Sequence, residues 1–160
     1  MSNQSQTGPI DIDRIRELVP HAGKMCLLER VLEYNDLSIR CETISHLDPD
    51  NPLRYKGHLS GICGIEYAAQ AMALHGTLKS PQASPHPEQT AGPAATSVRH
   101  GYLASVRDVC CSARYLDAFA TPLIVGAELV FEDSSRIIYS FTIEAGDTEL
   151  ITGRAAVVLA

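Results

Sequence analysis

Hydrophobic and polar positions change their spacing several times along this chain. The segment DIDRIREL, residues 11–18, predicts a short opening helix, because an aspartate at its start complements the helix dipole and a proline follows its end. Two β-branched or leucine-rich runs come next, at residues 25–35 and 37–47, separated by the turn-forming pair Asn35-Asp36. These runs predict an antiparallel hairpin.

The pattern then changes to a long segment of apolar and small residues. The sequence GICGIEYAAQAMALHG begins at residue 61, and the stretch 61–78 contains no proline and is rich in Ala, Leu and Met, which favours a helix. Ser60 is the predicted N-cap of this helix. A helix that is apolar nearly all round must be enclosed by other elements.

Strand patterns return after a segment of different composition. Residues 80–97 hold four prolines among small polar residues, a composition that predicts a mobile loop rather than a packed element. Beyond it, runs typical of strands are separated by Asp133-Ser134 and Gly146-Asp147 and occupy residues 102–116, 122–133, 135–146 and 149–160. The order of hairpin, apolar helix and antiparallel strands predicts an α+β fold in which a sheet buries one helix.

Composition narrows the classes of function. A length of 160 residues with 45% hydrophobic and 20% charged residues suggests one domain, residues 1–160. The absence of a signal-peptide pattern and of a long apolar run predicts a cytoplasmic protein that does not enter a membrane. A formal charge of −6 makes nucleic acid an improbable partner, and the five cysteines lack CxxC spacing, so they predict neither disulfides nor a metal site.

Two polar residues interrupt the apolar helix. Glu66 and Gln70 are four residues apart and share one face, whereas His75 falls on the opposite side. One interpretation places Glu66 on an exposed or subunit-facing edge, where it is merely paired. The other makes it a catalytic carboxylate, because an apolar site favours the protonated form and allows the group to act as a general acid.

Several segments of the sequence also carry a family resemblance. VPHAGKMCLLERVLEYN looks like a PH…P-L-L-D-R-V opening, NPLRYKGHLSG resembles an N-x-P-F-x-G-H-F loop, and GICGIEYAAQAM is similar to a P-G-V-L-x-x-E-A-x-A-Q helix. These motifs are those of the hot-dog-fold 3-hydroxyacyl-acyl-carrier-protein dehydratases. Through GIEYAAQAMA the chain is most similar to a short subgroup associated with aryl-polyene and related type II polyketide pathways.

The resemblance implies roles for particular residues of the helix. By position, Glu66 matches the catalytic carboxylate of the family, and Gln70 matches the glutamine four residues later. Gly61 matches the glycine at the helix start, where backbone N–H groups free of intrahelical partners can hold a thioester oxygen. Gly61 and Gln70 are therefore the expected substrate-binding residues.

Two histidines compete for the role of catalytic partner to Glu66. His58 follows a glycine, as the catalytic histidine of the family does, although fewer residues separate it from Glu66 than in the family. His21 belongs to a Pro-His pair that matches the opening motif of the family. We rank His58 somewhat ahead of His21 and keep both as candidates.

The resemblance further implies an architecture and a reaction. It predicts an antiparallel sheet wrapped around one central helix, in a homodimer or a heterodimer with a second hot-dog subunit whose histidine faces the carboxylate across the interface. The expected substrate is an acyl thioester on acyl carrier protein or coenzyme A, with no metal and no organic cofactor. Dehydration needs a base for the C2 proton and an acid for the leaving hydroxyl, and a histidine and a protonated glutamate divide these roles naturally.

Two other functions fit the same sequence. A hot-dog thioesterase would use the helix carboxylate to activate water and would hydrolyse acyl thioesters. A non-catalytic acyl-binding subunit would pair with an active hot-dog partner and would be inert alone. Assays of hydrolysis and of the isolated chain separate these two alternatives from a dehydratase.

Overall fold

Seven antiparallel strands form one sheet in the computed structural model, which describes residues 9–79 and 101–159. Its strands are β1 (Ile10–Asp11), β2 (Arg30–Tyr34), β3 (Ser38–Thr43), β4 (Gly101–Cys111), β5 (Leu123–Glu132), β6 (Arg136–Ala145) and β7 (Thr148–Leu159). They lie in the sheet in the order β1-β2-β3-β5-β6-β7-β4. In these described ranges, two α-helices accompany the sheet, α1 (Ile12–Leu18) and α2 (Gly64–Lys79).

Short turns with defined chemistry join the strands. The side chain of Asn35 accepts hydrogen bonds from the N–H groups of Leu37 and Ser38 and so closes the β2–β3 hairpin. The side chain of Asp133 does the same for the N–H groups of Ser135 and Arg136 between β5 and β6. The predicted hairpin and the predicted strand breaks are thereby confirmed.

The predicted apolar helix is confirmed as α2, which a 3₁₀ turn, Gly61–Cys63, precedes. Ser60 occupies the N-cap position of that turn, but its side chain makes no capping hydrogen bond. The helix packs mainly against β3, β5 and β6, where alternate strand residues face it and are buried. Fully buried core side chains on both sides of this contact are Tyr67, Leu74, Leu123, Val125 and Ile143.

One stripe of α2 and its preceding turn is less buried than the rest of the helix. Each of its residues lies three or four positions from another member, and all except Glu66 are apolar: Ile62, Ile65, Glu66, Ala69 and Ala73. Ile62 is 52% exposed and Ala73 is also exposed. We call these five residues the uncovered stripe; the only carboxyl group on it is that of Glu66.

The strand β4 lies at an edge of the sheet and pairs on one side with β7. Val106 and Val109 of β4 pack partly against the core, whereas Leu103 is 44% exposed. Two register shifts interrupt the pairing with β7, between Leu103 and Ser105 and between Arg107 and Cys110.

The segment 80–97, for which the sequence predicts a mobile loop, lies outside the described residues. Within the described ranges, no helix is long and apolar enough to cross a membrane.

Candidate active site

Glu66 and His21 meet at the start of α2. His21 Nε2 lies 3.2 Å from Glu66 Oε1, and the two side chains are 29% and 35% exposed. The helix carries Glu66, and the segment between α1 and β2 carries His21, so two elements that are distant in sequence build the pair. In the described part of the chain, Nδ1 of His21 is buried and has no hydrogen-bond partner. Nε2 is therefore the ring nitrogen available for proton exchange.

Gln70 supports the Glu66–His21 pair through hydrogen bonds. Its side chain is completely buried, and its Nε2 donates to Met25 O at 2.7 Å and to Glu66 Oε1 at 3.1 Å. Its Oε1 accepts a hydrogen bond from the N–H of Leu27 at 2.9 Å. The carboxamide therefore fixes one oxygen of Glu66 and ties α2 to the segment that precedes β2.

The carboxyl group of Glu66 consequently has two unlike oxygens. Oε1 lies within hydrogen-bond distance of both Gln70 and His21, whereas no described residue bonds Oε2. The group sits on the uncovered stripe, among apolar side chains and partly open to solvent. One carboxylate oxygen is thus positioned by the protein and the other remains for a bound molecule.

His58 lies in a different cluster. Its Nδ1 is 3.2 Å from Oδ2 of Asp117, and its ring stacks on that of Tyr115 with a centroid separation of 4.4 Å. The side chain is 55% exposed. Within this chain, the structure therefore brings His21, and not His58, into contact with Glu66. No sequence signal points to Asp117, because it lies 59 residues from His58.

Gly61 is a site of close backbone approach. A Cβ atom at this position would lie 1.9 Å from the carbonyl oxygen of Ala113, so no other residue fits without movement of the backbone. The N–H of Gly61 donates to Arg114 O at 2.9 Å, and that of Cys63 donates to Ser60 O at 3.0 Å. Within the described residues, the Ile62 N–H has no such partner, so it is the amide of this turn that remains for a ligand.

No metal centre is evident among residues 9–79 and 101–159, where no group of three or more His, Cys, Asp or Glu side chains has suitable geometry. The candidate site assembled above comprises a carboxyl group, an imidazole and a backbone amide. These groups are suited to moving protons and stabilising a developing oxyanion.

The comparison with protein families matches almost the whole chain. The model of the ApeP-like family, described as ApeP dehydratase, matches residues 13–160. The chain belongs to this family. Among curated proteins, none matches the chain significantly.

Solved structures similar to this ApeP-like chain agree on its fold. The dehydratase heterocomplex ApeI:P from Xenorhabdus doucetiae contains a chain that is 24% identical, with a TM-score of 0.72 and coverage of 91% of this chain and 90% of that chain. A mutant thioesterase from Pseudomonas aeruginosa is 10% identical, with a TM-score of 0.56 and coverage of 82% and 80%. A sigma28-regulated virulence protein from Campylobacter jejuni is 13% identical, with a TM-score of 0.57 and coverage of 94% and 90%. The ApeP-like chain has the hot-dog fold that the sequence resemblance implies.

Proposed function

We propose that this ApeP-like chain acts as a 3-hydroxyacyl-thioester dehydratase in fatty-acid-like or polyketide biosynthesis, with Glu66 and His21 as its acid–base pair. The substrate is carried on acyl carrier protein, and the product is a trans-2-enoyl thioester. The observation that carries the proposal is the 3.2 Å contact between His21 Nε2 and Glu66 Oε1 on an otherwise apolar, uncovered helix face. A carboxyl group and an imidazole in contact supply the two proton-transfer groups that dehydration needs.

The proton balance of the reaction closes within the pair. His21 takes the C2 proton at Nε2, the electrons of that bond form the C2–C3 double bond, and the C3–O bond breaks. Glu66 gives its proton to the leaving hydroxyl from Oε2, so water is released. The pair is then an imidazolium and a carboxylate. A proton transfer from Nε2 to Oε1 neutralises both groups, and the released water can carry the proton from Oε1 to Oε2, which restores the starting state.

The backbone amide of Ile62 is our proposed donor to the thioester oxygen. Ile62 and Glu66 are four residues apart on the same face, and side chains on a helix lean toward its N-terminus. A free N–H at this end bears a partial positive charge, which stabilises the enolate-like oxygen that develops when C2 loses its proton. Gly61 contributes to this site by allowing the turn to pack closely on Ala113.

A second hot-dog subunit is part of the proposal. The uncovered stripe is apolar apart from Glu66, and among the described strands β4 pairs with β7 alone. Together they form a surface that a second subunit can cover. The ApeI:P dehydratase from X. doucetiae is a heterocomplex, which supports a partner that is another hot-dog chain. Closing the stripe would also exclude water from Glu66.

Replacing Glu66 with Gln tests the catalytic pair. The hydrogen bond from Gln70 to Oε1 can persist in the variant, but the proton-exchanging carboxyl group is lost. We expect dehydration of a 3-hydroxyacyl thioester by the assembled protein to fall about 10²–10⁴-fold, with little change in melting temperature. Formation of the enoyl thioester is followed by its ultraviolet absorbance. The matched control is Glu128→Gln, which removes an exposed carboxyl group from β5.

The two histidines are compared in the same assay. His21→Ala should approach the defect of Glu66→Gln, because residues that act as one unit are strongly non-additive. Full activity of Glu66→Gln would contradict the dehydratase mechanism. A chain that hydrolyses acyl thioesters would instead be a thioesterase. A chain whose Glu66→Gln variant is harmless in an active complex would be the non-catalytic partner subunit.

A further inference from the structure

Two arginines lie directly opposite each other on neighbouring strands of the sheet. Arg107 of β4 pairs with Arg154 of β7, and both side chains are exposed. The residues beside them in sequence, Val106 and Ala155, face the core, since Val106 packs partly against it and Ala155 is buried. Because successive strand residues point to opposite faces, the two arginines project from the outer face of the sheet, the face away from α2. We call them the arginine pair.

No carboxylate neutralises the arginine pair in the described chain. Side chains directly opposite in an antiparallel ladder have Cβ atoms about 4.5–5.5 Å apart, and like charges in that position are unfavourable. Among the described residues, neither Arg107 nor Arg154 belongs to an ion pair. Ser140 of β6 lies opposite Arg154, and the next carboxyl group in that row, on Glu128 of β5, is two strand spacings from Arg154, or about 10 Å.

Other arginines on the same face have favourable partners. Nη1 of Arg40, on β3, lies 3.1 Å from Oε1 of Glu33. The guanidinium of Arg136, on β6, lies over the ring of Phe131 at 5.4 Å from its centroid. The arginine pair, in contrast, lies at the β4 edge without such a partner, which is the edge that we assign to a second subunit.

The position of Arg107 on β4 makes self-pairing unfavourable. β4 covers residues 101–111, so Arg107 lies one residue from its midpoint. Two copies that join their β4 edges antiparallel with full overlap are related by a twofold axis at Val106, which sets Arg107 opposite Ser105 of the copy. The two Arg107 residues are then diagonal neighbours about 7–8 Å apart, with Arg154 of each copy beside them. Four guanidinium groups would line up across the joined sheet.

β4 holds no carboxylate that could relieve this repulsion in a self-pair. Its outer-face residues on either side of Arg107 are Ser105 and Cys110, which are uncharged. The acidic residue of the strand is Asp108, which lies in the bulge between Arg107 and Cys110. In the self-pair it falls opposite Ala104 of the copy, three residues along the strand from Arg107, or about 10 Å. A second copy therefore brings cations to this edge and no carboxylate within ion-pair distance.

We propose that the arginine pair selects the partner of the β4 edge: it favours a hot-dog subunit whose edge strand presents a carboxylate on the outer face, and it disfavours a second copy of this chain. The inference rests on the second subunit of the proposed function, but not on any catalytic residue. A carboxylate opposite Arg107 accepts charge-assisted hydrogen bonds from the guanidinium groups and removes their mutual repulsion. Discrimination between partners is a difference of affinities, so the attraction and the repulsion both contribute to it.

A mixed pair of two forms of this chain tests the selection with a partner of known sequence. Arg107→Glu places a carboxylate near the midpoint of β4, so a wild-type chain paired with this variant has a carboxylate beside its arginine pair. We expect the mixed pair to have a Kd about tenfold lower than that of the wild-type self-pair. One form is labelled with nitrogen-15, and native mass spectrometry then distinguishes the mixed pair from the self-pairs at equilibrium.

The matched control is Arg40→Glu, which reverses an arginine on the same face but on β3, four strands away from β4 in the sheet. A mixture of Arg40→Glu with wild type should show no gain in affinity. Arg154→Glu should give a smaller gain than Arg107→Glu, because position 154 is one strand further from the junction. Added salt should tighten the wild-type self-pair and weaken the mixed pair, because screening reduces repulsion and attraction alike.

The outcomes separate this inference from the proposed function. A mixed pair no tighter than the wild-type self-pair, an equal gain with Arg40→Glu, or no mixed pair at micromolar concentration overturns the selection. If the melting temperature of Arg107→Glu is below that of wild type, the Arg154→Glu mixture decides by the same criteria. Full activity of Glu66→Gln would overturn the catalytic pair and leave the selection intact, because the experiment measures assembly and not turnover.

Discussion

The buried side chain of Gln70 fixes the orientation of the Glu66 carboxyl group. Its carboxamide satisfies Met25 O and the Leu27 N–H, which would otherwise be unpaired, and directs its remaining N–H to Glu66 Oε1. An unsatisfied buried polar group costs about 1–3 kcal/mol, so these bonds constrain the rotamer of Gln70 strongly. The fixed rotamer of Gln70 in turn fixes Oε1 of Glu66 through their hydrogen bond, so Oε2 is the oxygen that can contact a bound molecule.

His75 provides a test of stability against pH at the residue scale. Its side chain is fully buried, Nε2 donates to Asn35 O at 2.8 Å, and Nδ1 accepts from the hydroxyl of Tyr139 at 2.8 Å. Burial lowers the pKa of His75, and the hydrogen bond to Asn35 only partly opposes this. The imidazole is therefore neutral in the folded protein, and unfolding below its ordinary pKa takes up a proton.

The sign of the pH effect follows from this linkage. The stabilising contribution of neutral His75 is complete above its unfolded pKa, about 6.5, and is lost as the pH falls from there toward the lower folded pKa. We expect the free energy of unfolding to drop by about 1.4 kcal/mol per pH unit for this one proton in that window. Urea denaturation between pH 7.5 and about 5.5 measures the slope. The His75→Gln variant should have a lower free energy of unfolding at pH 7.5. The slope of its free energy of unfolding against pH should also be smaller, by about 1.4 kcal/mol per pH unit, which is the contribution of one proton.

His46 is the internal comparison for this experiment. It is also fully buried, and burial lowers its pKa, while its Nε2 contacts Phe119 O at 2.9 Å. His46→Gln should flatten the same profile by a similar amount, and the double variant should flatten it further. An unchanged slope in His75→Gln would show that this imidazole is not the group that takes up the proton.

Sequence patterns predicted only some of the contacts between the site residues. The shared face of Glu66 and Gln70 follows from their spacing on one helix, and the structure bonds the two directly. The contact of His21 with Glu66 depends on how the segment before β2 docks on α2, which no local pattern encodes. The placement of His58 on Asp117 depends in the same way on a tertiary contact.

At the scale of elements, the turn between Tyr55 and His58 positions the second histidine. The two residues exchange backbone hydrogen bonds of 2.9 and 3.1 Å, and the residues between them, Lys56 and Gly57, have φ values of +50° and +81°. Positive φ at both central positions is typical of a type I′ turn, where Asn and Gly are preferred. Lys56 therefore adopts a conformation that costs a non-glycine residue energy.

Relieving this strain should stabilise the protein. Lys56→Asn places a residue that tolerates positive φ at the first central position, and we expect the free energy of unfolding to rise by about 0.5–1 kcal/mol. Gly57→Ala, in contrast, imposes positive φ on a residue with a Cβ and should lower it by about 1–2 kcal/mol. Urea midpoints measure both. A loss of stability in Lys56→Asn would mean that the contact of Lys56 with the Tyr55 ring outweighs the strain.

The sequence predicted the types of the secondary-structure elements better than their first and last residues. The run at residues 25–35 predicts a strand throughout, but β2 begins only at Arg30, because the backbone around residues 25–27 bonds to Gln70 instead. The run at 37–47 ends in a 3₁₀ turn, Ser45–Leu47, rather than in strand. The two-residue strand β1 is too short for an alternating pattern to reveal it.

For the molecule as a whole, the reactivity of the cysteines can test which surface the proposed partner subunit covers. Burial raises the pKa of Cys41 to about 12 and also raises the pKa values of Cys26 and Cys63. Cys110 and Cys111 lie exposed on β4, at the edge of the sheet. We expect Cys110 and Cys111 of the dilute chain to react quickly with a thiol reagent, the partly buried Cys63 to react more slowly, and the buried Cys26 and Cys41 to react only on unfolding.

Assembly should change that pattern. If the second hot-dog subunit covers β4, Cys110 and Cys111 become protected in the complex, whereas dilution or separation of the subunits restores their reactivity. Mass spectrometry of labelled peptides identifies the thiols, and sedimentation reports the assembly state in the same samples. Labelling of Cys110 and Cys111 at equal rates in the free and assembled chain would place the interface on another surface.

The overall architecture was largely predictable, since the apolar helix and the four late strands each have strong local patterns. An α+β sheet around one helix follows from their order, and the hot-dog fold is confirmed. The order of the strands could not be predicted in the same way, because the sequence alone would also allow β4 to pair with β3 or β5. In the structure β4 pairs with β7 and lies at the edge of the sheet.

This strand order determines when the edge can form during synthesis. β4 leaves the ribosome before β5, β6 and β7, yet its partner in the described sheet is β7. Until Thr148–Leu159 has emerged, the nascent β4 has no strand to pair with, while β2–β3 and then β5–β6 can already close as local hairpins. The edge that we assign to assembly is therefore among the last parts of the sheet to fold. A partner that recognises this edge would engage chains with a complete sheet and pass over unfinished ones.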